Sequence, residues 1–239
     1  MPIEKSKKKK HFSSFTYTEA FKHLHLEELC PWHFEPLAIE PSAFFQERLA
    51  RLNEVFDLQS YEESKKLLID AICEEAIYGF KALKIWKGAQ LADETTSGYV
   101  DYLVARQKRY LEAPFVCVVE AKKDDFEQGL AQCLVEMKAC QFNNLTLPHP
   151  SNRQSISHPV PSDRSESAID HSGRGDAVGI EIIGIVTNGS GWQFYRLRED
   201  GTVDETDLFS TGNMVDLLGR LRYLFDLCDR QISGRLAAR

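Results

Sequence analysis

No stretch of this 239-residue chain reaches the roughly 18 to 20 consecutive apolar residues that a membrane-crossing helix needs. The opening residues, MPIEKSKKKKHF, also lack the apolar stretch of a secretory signal. A Cys-x-x-Cys pair is missing too: the six cysteines, Cys30, Cys73, Cys117, Cys133, Cys140 and Cys228, stand apart within apolar segments. That scatter excludes a disulfide framework and suits small, reduced core residues, so the expected location is cytoplasmic. Net positive charge is absent as well. A formal charge of −7 argues against a protein that coats nucleic acid non-specifically, because phosphate binding draws on clustered Lys and Arg. Basic groups are local: five lysines among residues 5 to 10, which suit a solvated tail, and Arg220, Arg222, Arg230, Arg235 and Arg239 near the end. There is no internal repeat, no helicase motif and no recognisable module for reading a nucleic-acid sequence.

What is present is ordinary globular composition, 43% hydrophobic and 27% charged, in a length that suits one substantial core. Residues 1–40 show no sustained period and are expected to form an irregular lead-in to a single domain over 41–239. PSAFFQERLARLNEVF then places Phe44, Phe45, Leu49, Leu52, Val55 and Phe56 at helical spacing. A second helix is expected from Ser60, with Ser60 and Glu63 as a capping box ahead of KKLLIDAICEEAIYGF. Three strand-like segments follow, ALKIWKGAQL, SGYVDYLVAR and PFVCVVEAK, and then DDFEQGLAQCLVEMKACQF returns to helical spacing. Residues 148–176 hold four prolines and seven serines and read as a mobile excursion. Beyond them, IEIIGIVTNGSGWQFYRLRED suits a hairpin around Asn188-Gly189-Ser190-Gly191, and NMVDLLGRLRYLFDLCDRQ an amphipathic helix.

The chemistry concentrates in the third strand. Residues two apart on a strand share a face, so Glu120 and Lys122 point the same way, behind the apolar run FVCVV. The spacing alone is weak, since Glu63/Lys65 and Glu136/Lys138 repeat it on expected helices, where residues two apart do not share a face. What distinguishes Glu120 and Lys122 is Asp101, a charge in the middle of the preceding apolar strand, expensive there unless paired or bound to a metal. Two carboxylates on adjacent strands, with a backbone carbonyl, offer the hard oxygen ligands that Mg²⁺ prefers, and a lysine beside the ion can orient a water. The plain alternative is a solvated salt bridge at a sheet edge.

Asp101 and Glu120-Ala121-Lys122 resemble the motif of the PD-(D/E)XK nuclease superfamily, an Asp on one strand followed by Glu or Asp, any residue, and Lys on the next. GYVDYLV stands where that family shows an apolar strand around its Asp, with Val100 in place of the usual proline. Many members carry a glutamine on the following helix, and Gln132, or Gln128 one turn earlier, fits; where some relatives then show a tyrosine, this chain has Glu136. GIVTNGSGWQFYRL resembles the later hairpin in the N-terminal nuclease domain of type I restriction subunits and their stand-alone relatives. The resemblance spans about residues 60 to 230.

The resemblance implies a restriction-endonuclease-like α/β core, with a central mixed sheet flanked by helices. By the same resemblance, Asp101, Glu120 and the Ala121 carbonyl would bind Mg²⁺ or Mn²⁺, Lys122 would position the attacking water, and Gln132 would join the site. The family's further acid on the preceding helix would be Glu62, favoured over Glu75. DNA is the implied substrate; a homodimer would supply two sites for the two strands of a duplex, a larger restriction-type complex is the other partner expectation, and the sequence leaves the oligomeric state open. A catalytically silent nuclease fold, serving as a binding or regulatory subunit, is the alternative. His23, His25, Cys30 and His33 make a rival set, but their spacing matches no structural zinc pattern. Asn188-Gly189-Ser190-Gly191 lacks the lysine and following helix of a phosphate-binding loop and remains a hairpin turn.

Overall fold

The computed structural model describes residues 9–122, 125–146 and 179–237; the Ser/Pro-rich stretch 148–176 lies outside them. Strand β1 (Lys10–His11), helix α1 (Tyr17–Leu24) and strand β2 (Cys30–Pro31) come first, followed by α2 (Ala43–Val55) and α3 (Glu62–Ile77). The three central strands are β3 (Leu83–Ala92), β4 (Thr96–Arg106) and β5 (Phe115–Ala121), and α4 (Phe126–Leu145) follows. The chain continues as β6 (Ile182–Thr187), β7 (Gly191–Leu197), β8 (Val203–Glu205) and β9 (Phe209–Ser210), and then α5 (Met214–Ala237).

All nine strands among the described residues join one mixed sheet. β4 runs antiparallel to both β3 and β5, β5 is parallel to β6, and β6 and β7 form an antiparallel hairpin. Every residue of β5 is buried, which is why its sequence is a continuous apolar run rather than an alternation: both faces of this strand are covered. Its side chains alternate all the same. Cys117 turns to α5, where it meets Cys228, and Glu120 turns to α4, where it meets Gln132. Helices α3 and α5 pack on each other and on β5, while α4 lies on β5 and β6 and carries α1 on its outer side.

The helices bury the faces their spacing announces. In α5, Leu217, Leu221, Leu224 and Cys228 recur at three and four residues and are fully buried; in α3, Ile69, Ile72, Cys73 and Ala76 do the same. Fully burying one such aliphatic side chain is worth about 1.5 to 3 kcal/mol, so these two stripes contribute substantially to holding α3 and α5 together and in place. Between β6 and α4 the fit is close: a Cβ on Gly184 would come within 2.4 Å of Met137 Sδ. Glycine is the side chain that lets the helix lie this near the strand.

Two expectations are corrected. The described part of the lead-in is not irregular throughout: Thr16 and Glu19 form a capping box that starts α1, β1 pairs in parallel with the beginning of β4, and β2 pairs in parallel with β8. Gly98 on β4 leaves room for the Phe12 ring, which a Cβ there would meet at 2.6 Å, and Phe12 is fully buried. At α3 the N-cap is Tyr61 and makes no side-chain cap bond. Asp57 instead turns the chain by accepting from the Gln59 and Ser60 amides, and Glu63 pairs with Lys66. Among the described residues no helix is long and apolar enough to cross a membrane.

Candidate active site

The register of β4 on β5, with Tyr102 opposite Val119 and Leu103 opposite Val118, sets Asp101 beside Glu120. At this point the ladder between the two strands gives way to a side chain: Asp101 Oδ2 accepts from the Ala121 amide at 2.9 Å. β5 remains anchored on its other side, where the Lys122 amide donates to the Thr187 carbonyl at 2.9 Å. Glu120 and Lys122 are therefore held from both flanks, by the Asp101 side chain on one and by the backbone of β6 on the other, and their side chains meet, Lys122 Nζ to Glu120 Oε1 at 2.9 Å.

Gln132 of α4 closes the group. Its Oε1 accepts from Lys122 Nζ at 3.0 Å, and its Nε2 donates to Glu120 Oε2 at 3.0 Å and to Glu136 Oε1 at 2.9 Å. α4 can bring Gln132 this near because Gly129, one turn earlier, has no side chain. A Cβ there would come within 2.7 Å of Val186 Cγ1 and 3.1 Å of Lys122 Cγ. Gln128 serves elsewhere, donating to the Ser13 and Phe15 carbonyls and tying the N-terminal segment to the start of α4.

From α3, Lys66 reaches Asp101 Oδ1 at 3.2 Å, Glu63 at 3.0 Å and Glu62 at 3.4 Å. Glu62 thus comes to the site through Lys66. Glu75 does not: its carboxylate accepts from the Ser42 amide at 2.8 Å and the Ser42 hydroxyl at 2.9 Å, and is taken up by the N-terminus of α2. Lys66 was not anticipated from sequence, because Glu62 and Glu63 explain it as an ordinary helix-surface pair. Only the fold brings it to Asp101.

The group is graded in exposure. Asp101 and Lys122 keep about a quarter of their side-chain surface, 24% and 23%, while Glu120 keeps 1%. Burial, and then the charge of Asp101, push the Glu120 carboxyl up to about 7, against the opposing pull of Lys122 and Lys66. Glu136 is raised well above the ordinary carboxylate range by burial first and the charge of Glu120 second. Burial alone would lower the Lys122 ammonium, but Glu120 outweighs it and the pKa rises; Lys66 is raised in the same way by Glu63 and Asp101. Both lysines are cations at neutral pH.

Two carboxylates that repel one another, one buried and one a quarter exposed, are hard oxygen donors of the kind a dication takes, and such an ion would relieve that repulsion. Among the described residues no group of three or more His, Cys, Asp and Glu is arranged to hold a metal. An ion here would have two side-chain carboxylates and fill its shell with backbone oxygen and water, a habit of Mg²⁺ rather than of zinc. His23, from the rival zinc set, packs its ring on Phe15 at 5.3 Å between centroids.

Asn188 Oδ1 accepts from the Ser190 and Gly191 amides, and Gly189 takes φ +88°, which confirms a hairpin turn at Asn188–Gly191. No family model, no curated protein and no solved structure matches this chain.

Proposed function

We propose that this chain is a Mg²⁺-dependent nuclease that hydrolyses DNA phosphodiesters, its sheet and helices forming a restriction-endonuclease-like core of the PD-(D/E)XK kind. The observation that carries the proposal is the junction of Asp101, Glu120, Lys122 and Gln132 where β5 passes out of the sheet, held from both neighbouring strands and from α4. Asp101 and Glu120, with the Ala121 carbonyl, would hold the ion. Bound there, magnesium supplies charge neutralisation for the phosphate and lowers the pKa of water. The residues do the rest by placement. Lys122 presents a fixed ammonium beside the buried carboxylate, where it can orient a water and stabilise negative charge growing on a phosphate oxygen. Gln132 holds that ammonium on the line of Glu120, and partial exposure of Asp101 and Lys122 leaves the site open to a substrate.

Purified protein incubated with linear duplex, circular and single-stranded DNA in Mg²⁺ or Mn²⁺ tests this directly. Cleavage is expected from the wild type and not from Glu120→Ala or Lys122→Ala; full activity in either variant refutes the assignment. The net charge of −7 favours a second reading, a silent nuclease fold that binds DNA only as part of a larger complex. It predicts no cleavage of any substrate, and metal affinity that Asp101→Ala does not change.

A further inference from the structure

Glu136 sits in the middle of α4, one turn beyond Gln132, and is 0% exposed. A carboxyl in such a place is costly unless it is compensated. Its Oε1 accepts from Gln132 Nε2 at 2.9 Å, whereas Oε2 has no hydrogen-bond partner, and no basic group pairs with it among the described residues. An ionised carboxylate there would carry an uncompensated buried charge, so the environment favours the neutral acid, in keeping with the upward shift that burial and Glu120 impose. Its neighbours on the helix, Val135 and Met137, and Cys133 and Cys140 a turn to either side, are all fully buried. By packing alone a leucine would serve this position. The acid must therefore matter through its single hydrogen bond.

That bond falls on the side chain at which the whole group meets. The Gln132 amide accepts from Lys122 with its oxygen and has two N–H groups to place in a buried space. One goes to Glu120; Glu136 accepts the other. Without that acceptor the second N–H would be orphaned, and the amide would turn away from the plane in which it bridges Glu120 and Lys122. Neutrality is what makes Glu136 a suitable acceptor. A charged group there would repel Glu120 further and compete for the Lys122 ammonium.

We infer that Glu136 is a positioning residue: a buried side chain whose carboxyl oxygen fixes the Gln132 amide, and through it the Lys122 ammonium, against Glu120. The catalytic meaning of this rests on the nuclease reading above, but the hydrogen-bonding role does not, and the test separates them. In metal-free, DNA-free protein, NMR follows solvent exchange of the Gln132 side-chain amide, identified by its loss in Gln132→Met. In parallel, single-turnover cleavage and DNA affinity are measured with Mg²⁺. Glu136→Gln, whose carbonyl can still accept, should keep slow exchange and most of the cleavage rate. Glu136→Leu should speed exchange about tenfold, as expected for one lost hydrogen bond. The same variant should slow the cleavage step about 100-fold through misplacement, with DNA affinity changed less than about twofold. Glu136→Met stands in should the leucine variant fail to fold. Exchange or cleavage in the leucine or methionine variant equal to wild type overturns the inference. Failure of the glutamine variant to rescue overturns it too. A wild type that cleaves nothing while the exchange pattern holds removes the nuclease reading and the catalytic role, and leaves Glu136 as the anchor of the Gln132 amide.

Discussion

Glu120 makes folding stability depend on pH in a direction opposite to that of most carboxylates. Its pKa is raised from the ordinary 4.5 to about 7, because ionising it places a charge in a buried corner beside Asp101. Below the ordinary value both folded and unfolded chains carry a neutral Glu120, and nothing is lost. As pH rises the unfolded chain ionises first, so stability falls through the interval and levels off once the folded group has ionised too. A tenfold difference in proton affinity between the two states corresponds to about 1.4 kcal/mol. The rise from 4.5 to about 7 therefore corresponds to about 3 kcal/mol. Glu120→Gln removes the titration. It also leaves an N–H facing the Gln132 N–H, a loss that does not vary with pH, so only the pH-dependent part of the difference reports on Glu120. Urea unfolding of both proteins in EDTA, from about pH 4.5 to about pH 8, should show the wild type losing about 3 kcal/mol relative to the variant. On the metal-binding proposal, saturating Mg²⁺ should abolish that loss in the wild type, since a bound dication would favour the ionised carboxylate against both burial and the charge of Asp101. A difference between the two proteins that stays constant across the range would refute the reasoning.

Gly129→Ala gains about 1 kcal/mol of helix propensity but forces a Cβ to within 2.7 Å of Val186 and 3.1 Å of Lys122. Overpacking of that kind costs about 1 to 3 kcal/mol, so the variant should be net less stable in urea unfolding and, on the nuclease proposal, cleave more slowly. Asp204 is fully buried and paired with Arg196 at 2.7 Å and Arg198 at 2.8 Å. Asp204→Asn should cost about 3 kcal/mol and accelerate hydrogen exchange at the Trp32 amide, which donates to Glu205 across the β2–β8 edge. Lys66→Met removes the cation that Asp101, Glu62 and Glu63 share. Stability at neutral pH should fall by about 1 kcal/mol in low salt, and the deficit should shrink in roughly 1 M salt, which paired urea titrations would detect.

The central strands were legible because their constraints are local. FVCVV is short, β-branched and aromatic and follows Pro114, which marks it as a strand, and Asp101 within the apolar GYVDYLV needs compensation nearby. What sequence could not give is the register that puts Asp101 beside Glu120, since a slip of one residue would turn the acids to opposite faces. Gln132 and Gln128 were equivalent by spacing, and the choice came from the N-terminal segment, which claims Gln128 for the Ser13 and Phe15 carbonyls. Glu62 and Glu75 were separated by a contact of the same non-local sort, Ser42 taking Glu75. Helix α1 was missed although TYTE carries its capping box, because eight residues give too few turns for a period to emerge. The misread cap at Ser60 has the reverse cause: the pattern was present, but Asp57 had already used the Ser60 amide in a turn.

β1 and β2 lie near opposite edges of the sheet, and this ordering governs the history of each molecule. The segment Lys10–Pro31 is synthesised before any strand it pairs with: β1 needs Thr96 and Ser97, and β2 needs Asp204 and Glu205, roughly 170 residues downstream. At about 5 to 20 residues per second on the ribosome, the second pairing lags by on the order of ten to thirty seconds. During that interval the nascent chain carries the already-made β3 to β5 with hydrogen-bonding edges still open to other chains. Soluble yield thus depends on how the growing chain is shielded in those seconds, as much as on the stability of the finished sheet.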